Sequence, residues 1–203
     1  MRRSVYDKLL GIVGLALGVV LLIAGGLLVW GSAYIHNTVT SQLAAQKVFF
    51  PPAAAFAHPK AGTEITPSMI GPVSQYAGQQ LLTGQQAEAY ADHFIAVHLG
   101  EIGAGKTYAQ LSAAAMALPP TSPKYTALEA QVQTVFRGDT LRSMLLNAFG
   151  WWKVSQIAYI ASLIAFGLGA IAALAGLFGY AWAPRGKAAA VPQPAAREPV
   201  TVA

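Results

Sequence analysis

Residues 9–35 read LLGIVGLALGVVLLIAGGLLVWGSAYI without a single charged side chain, and a second charge-free run covers residues 154–184. As a helix the first run is roughly 40 Å long, more than the ~30 Å hydrocarbon core of a bilayer. Each run therefore predicts a helix able to span a membrane with some tilt. Between them the pattern changes to that of ordinary amphipathic helices. The pattern predicts an all-α chain: a two-helix transmembrane hairpin with a small helical extracytoplasmic domain inserted between the spans. Its parts are a cytoplasmic N-terminus (1–8), transmembrane helix 1 (9–35), the helical domain (36–152), transmembrane helix 2 (153–183) and a disordered cytoplasmic tail (184–203).

Beyond Ile35 no breaker occurs before Pro51 and Pro52, so the first helix is expected to continue outward to about Lys47. Val48, Phe49 and Phe50 form a short apolar patch, read as a core contact. Repeated Pro and Gly over residues 53–71 predict an extended connection. A helix is expected near residues 72–82 and, more clearly, over 84–99. There Ala87, Tyr90, Ala91, Phe94, Val97 and His98 share a face, while Glu88 and Asp92 lie near the opposite, solvated one. Thr107 and Gln110 have capping-box spacing and open a helix through Met116. Ser122 and Pro123 then have the N-cap and N1 signature of another, with Tyr125, Leu128, Val132, Val135 and Phe136 on one face. Gly138 and Asp139 are read as a joint, after which the helical spacing runs into the second span. Trp30 and Tyr34 on the first span, and Trp151, Trp152 and Lys153 on the second, mark the outer interface; Trp182 and Arg185 mark the inner one.

Charge fixes the expected orientation. Arg2, Arg3 and Lys8 precede the first span and Arg185, Lys187 and Arg197 follow the second, whereas the segment between the spans is close to neutral. By the positive-inside rule both termini are cytoplasmic, in a multi-pass protein of the cell membrane. The basic balance thus reports topology and not nucleic-acid binding. A cleaved signal peptide competes for the N-terminus, but its apolar core would be about 7–15 residues, half of the run present here. The chain has no cysteine, which excludes disulfides, thiolate metal sites and cysteine nucleophiles.

Candidate chemistry is sparse. Residues 100–107, GEIGAGKT, match the phosphate-loop pattern GxxxxGK[ST]. Such a loop works by joining a buried strand to a helix, whereas an amphipathic helix precedes this one and no later apolar run ends in a metal-holding Asp. The segment is expected to be a glycine turn between helices with Thr107 as a cap, and no nucleotide is expected. His93 and His98 are five apart, about 140° around a helix, and cannot face one ion; His98 and Glu101 have usable spacing but lack a third ligand. His98 is expected as a hydrogen-bonded histidine near the core. Catalytic, cofactor and metal residues are therefore expected to be none. Gly14 and Gly18 form a GxxxG pair and are candidate helix-packing positions, against the second span or a second copy.

The segments SQLAAQKVFFPP, GKTYAQLS and FRGDTLRSMLLNAFG, set between two terminal spans, resemble a family of small actinobacterial membrane proteins. The resemblance covers both spans and the edges of the insert. It implies a helical extracytoplasmic insert and a turn and cap at the glycine, lysine and threonine of GKTYAQLS. Members often carry the automatic label aromatic ring-opening dioxygenase, which implies non-haem iron; no ligand triad supports carrying that activity over. The expected role is a non-enzymatic interaction or accessory module of the cell envelope. Its expected partners are the lipid bilayer and either further copies of itself or a larger envelope complex. The alternative is a binder of lipid or a small hydrophobic ligand at the outer, membrane-facing side of the helical domain, with Phe49, Phe50, Tyr90, Phe94 and Phe136 as candidate apolar contacts.

Overall fold

A computed structural model of the chain describes residues 2–182. The tail expected over 184–203, with Arg185, Lys187 and Arg197, lies outside the described residues. Among the described residues all regular structure is helical. Helix α1 (Arg2–Gln46) and helix α5 (Pro123–Trp182) hold 45 and 60 residues, about 68 and 90 Å at 1.5 Å per residue. Both are long and apolar enough to cross a membrane. Between them lie α2 (Gly84–Tyr90), a π-turn (Ala91–Ile95), α3 (Ala96–Ile102) and α4 (Tyr108–Met116).

The described residues divide into two compact units, 2–24 with 164–182, and Gly25–Leu163. In the first, small residues let the backbones of α1 and α5 touch. A Cβ at Gly14 would lie 3.1 Å from Gly176 Cα, and one at Gly18 would lie 2.7 Å from Ala173 N. The GxxxG pair thus packs on the second long helix. Around this seam Leu10, Ile12, Val13, Leu17, Ile171, Leu174 and Phe178 are exposed.

In the second unit the core gathers Val39 and Leu43 from α1, Phe50, Met69, Val73 and Leu81 from the connection, Ala87 and Ala91, and Leu145 and Trp152 from α5. Leu111, Ala115, Val132 and Val135 make a smaller cluster between α4 and α5, with Tyr125 and Leu128 against it. Helix α1 ends where Lys47 turns left-handed at φ 53° and the Gln80 side chain donates to Ala44 O at 3.0 Å. Residues 48–51 then pair with 78–81: Phe50 N donates to Gln79 O and Leu81 N to Val48 O, both at 2.9 Å.

Three sequence-based expectations are corrected. Residues 72–82 form no α-helix: local turns with one 3₁₀ segment, Ser74–Tyr76, give way to residues 78–81, whose backbone groups bond across to 48–51 instead of up a helix. Gly138 and Asp139 are no joint, since α5 runs unbroken through them; a Cβ at Gly138 would collide with the Leu99 side chain, so the glycine admits a neighbour and does not bend the helix. Trp152 does not share an interfacial belt with Trp151. It is 6% exposed against 54% for its neighbour, because the 100° step of a helix turns one ring to the core and the next outward.

Tyr90, in this core, has its hydroxyl pKa raised by burial and then by the charge of Glu64. A raised folded-state value favours the neutral phenol, so its stabilising effect is complete below the unfolded value near 10 and is lost as pH rises through the folded one. Alkaline unfolding monitored by near-ultraviolet circular dichroism should therefore begin near pH 10 and shift upward in Tyr90→Phe. An unshifted transition would count against Tyr90 as the group responsible.

Candidate functional site

The sequence-based aromatic candidates do not converge. Phe50 is a core residue, with its ring 5.2 Å from Tyr76 and 5.3 Å from Tyr90, and Tyr90 in turn lies 4.8 Å from Phe94. Phe49, on the opposite side of its strand-like segment, is 56% exposed and pairs with Gln80 through the backbone. Phe136 is half-exposed and packs on Tyr108, at 5.5 Å. Three of the five thus hold the core and two lie apart on the surface. Alternation and helical phase place such residues on a face, but what covers that face depends on chain segments remote in sequence.

The GEIGAGKT segment is a turn between α3 and α4. Gly103 N donates to Leu99 O, Ala104 N to Glu101 O, Gly105 N to Gly100 O and Lys106 N to Gly103 O, at 2.8–3.1 Å. Ala104 and Gly105 take the left-handed φ of 49° and 76° that reverses the chain. Thr107 N donates to Gln110 Oε1 while Gln110 N donates to Thr107 Oγ1, a complete capping box. The amides that a phosphate loop would direct at a phosphate are here engaged with carbonyls of the turn and with the cap. Thr107→Ala should cost about 1 kcal/mol, whereas Lys106→Ala should leave the melting temperature unchanged. Equal losses in the two variants, by calorimetry, would contradict this assignment.

Several of the other polar candidates are also tied into the fold. His98 Nδ1 lies 2.7 Å from Phe94 O, and its ring lies tilted against that of Phe94, 4.7 Å between centroids. Asp92, on a partly solvated face, has a partner: its Oδ1 accepts from Arg142 Nη2 of α5 at 2.7 Å, a pair about a third exposed that joins the π-turn to the long helix. Glu101 accepts from Gly62 N at 3.1 Å and fastens the connecting segment. Gln86 completes a second capping box with Thr83 and reaches Gln79 Oε1 at 3.0 Å. Among the described residues no three His, Asp or Glu side chains come together as a metal site would require.

A groove of about 540 Å³ lies open between the C-terminal part of α1 and the middle of α5. Leu43, Val48, Leu81 and Leu145 floor it; Gln42, Gln46, Thr140, Ser143 and Asn147 rim it; Leu141 and Met144 project beside it, Met144 being 67% exposed. Every lining side chain is uncharged. None of the five aromatic candidates contributes. Helical spacing at Leu141, Met144, Leu145 and Ala148 signals an apolar stripe, but only the packing of α1 and Val48 beside it makes a groove.

Neither a protein-family model, a curated protein nor a solved structure matches the chain.

Proposed function

We propose that the protein is a two-span integral membrane protein whose inserted helical domain serves as a non-enzymatic interaction module of the cell envelope. In this reading α1 and α5 form a transmembrane hairpin in the cell membrane, with both termini in the cytoplasm and the helical domain outside. The support for the hairpin is that the first unit exposes large apolar side chains nearly all round two closely touching helices, a surface suited to lipid and costly in water. The resemblance to two-span actinobacterial proteins points the same way.

One observation carries the interaction role: the uncharged apolar groove beside Leu141 and Met144 is open, while Asp92, His98, Glu101, Gln86 and Thr107 are engaged in an ion pair, a helix hydrogen bond, a loop contact and two caps. An open apolar groove between helices suits the apolar face of a partner helix, from another copy or from a larger membrane complex. The absence of native cysteine allows a direct test. Thr121→Cys should react with a membrane-impermeant maleimide on intact cells and Ser4→Cys only after permeabilisation. The reverse pattern would overturn the topology. Met144→Cys should yield a discrete oxidised or bifunctional crosslink in membranes, at twice the monomer mass for self-association or at another fixed mass for a complex. Monomer alone, at a labelling efficiency equal to Thr121→Cys, would overturn the interaction role.

A further inference from the structure

His36 of α1 and Trp152 of α5 meet where the charge-free runs give way to the polar part of the chain. Their ring centroids are 4.1 Å apart and their planes 35° from parallel. Aromatic pairs usually lie about 4.5–7 Å apart, so this separation sets the imidazole over the indole face and not beside its edge. Trp152 Nε1 is buried without a hydrogen-bond partner; the contact is therefore ring to ring and not an N–H bond to the imidazole. The indole is fixed. It is 6% exposed, it covers Gly84 at the start of α2, and Ser155 O, three residues on, accepts from Ser32 Oγ at 2.7 Å, which pins α5 to α1 one turn from His36. His36 itself is exposed, so its ring exchanges protons with the surrounding water. Few charges stand near it. Helix α1 has no other charged side chain between Lys8 and Lys47; on α5 the nearest is Lys153, whose Nζ lies 5.3 Å over the Phe149 ring, and on α2 it is Glu88, one turn past Gly84. Among the described residues no carboxylate pairs with His36.

We propose that His36 and Trp152 form a protonation-dependent clamp between α1 and α5, in which a charged His36 ring grips the indole face more tightly than a neutral one. A neutral imidazole meets that face mainly through dispersion, whereas an imidazolium is a cation over the aromatic ring that attracts cations best. The charge forms at little desolvation cost, because His36 stays in contact with water while the indole is already dry. Folding thus favours the charged ring. The gain in stability is complete below the ordinary imidazole value of about 6.5 and is lost as pH rises through that range. The same two helices wall the groove beside Leu141 and Met144, so the clamp acts on the helix pair that forms it.

The test is a pair of melting curves of the full chain in mild detergent, at about pH 8 and about pH 5.5, which bracket the imidazole range and leave carboxylates ionised. Wild type should gain about 2 °C more on acidification than His36→Gln, the size of one exposed cation–π contact in a chain of this length. His58, His93 and His98 are present in both chains and cancel in the difference. His36→Arg, charged at both values, should show no such extra gain, and Trp152→Leu, which keeps bulk but removes the aromatic face, should abolish it. Because Trp152→Leu is expected to melt early, a second readout follows the pair in an intact core. In a chain carrying Trp30→Phe, Trp151→Phe and Trp182→Phe, all exposed positions, the emission of Trp152 should fall on acidification, since an imidazolium in contact quenches an indole. With His36→Gln added, the emission should hold constant. An acid gain equal in wild type and His36→Gln, a gain that survives in Trp152→Leu, or emission that responds to pH alike with and without His36 would overturn the proposal.

Discussion

Gly176→Leu is expected to separate the two helices of the first unit. A Cβ at Gly176 would lie 2.5 Å from Leu15 N, 2.7 Å from Gly11 O and 2.9 Å from Gly14 C. All three are backbone atoms, so no side chain can rotate out of the way; one helix must move. Gly11, Gly14 and Gly18 make the reciprocal approach from α1, meeting Tyr180 N, Gly176 Cα and Ala173 N. In lipid the association of helices comes from such close van der Waals contact, since the tails are as apolar as the side chains. Overpacking of this kind costs typically 1–3 kcal/mol and more where backbone must shift, so a loss of about 3 kcal/mol is expected. Asp7→Cys with Gly179→Cys gives the readout: a Cβ at Gly179 lies 3.9 Å from Asp7 O, and oxidation should link the pair efficiently. The crosslink should fall to background when Gly176→Leu is added and stay unchanged with Gly167→Leu, a position with nothing within 4 Å. Equal crosslinking in the two backgrounds would refute the seam.

Trp152→Ala is expected to have the other large effect, about 3–5 kcal/mol on the second unit. The indole lies against the His36 ring and covers Gly84 so closely that a Cβ there would collide with it, and it belongs to the same core as Leu43 and Leu145. Truncation leaves a cavity lined by α1, α2 and α5 that rigid helices cannot close. Trp151→Ala, one residue earlier and exposed, should change stability little. Thermal melts in detergent should show a drop on the order of 10 °C for the first and near zero for the second. Similar shifts in both would mean that the two rings are equivalent, as their sequence alone suggests.

Much of the fold was legible because its signals are local. The charge-free runs, the lack of any breaker between Ile35 and Pro51, the Thr107 box and the Ser122 cap all act within one or two turns, and α1, α4 and α5 begin or end close to where they indicate. The candidate sites were less legible. Phe49 and Phe50, or Trp151 and Trp152, are adjacent and chemically alike, yet one of each pair is buried and the other exposed. Asp92 gained Arg142, fifty residues on, as its partner. No spacing rule reaches that far.

Hydropathy and the absence of proline determined by themselves that this chain forms two long helices with small residues along one of them, since both depend on each segment's own transfer energy and backbone geometry. Tertiary structure alone decided which glycines touch, which tryptophan is interior, and that an uncharged groove opens beside Leu141 and Met144. Those are properties of pairs of segments. Their energies come from contacts between atoms more than a hundred residues apart, as between Ser32 and Ser155, and no pattern within either segment encodes the distance between them.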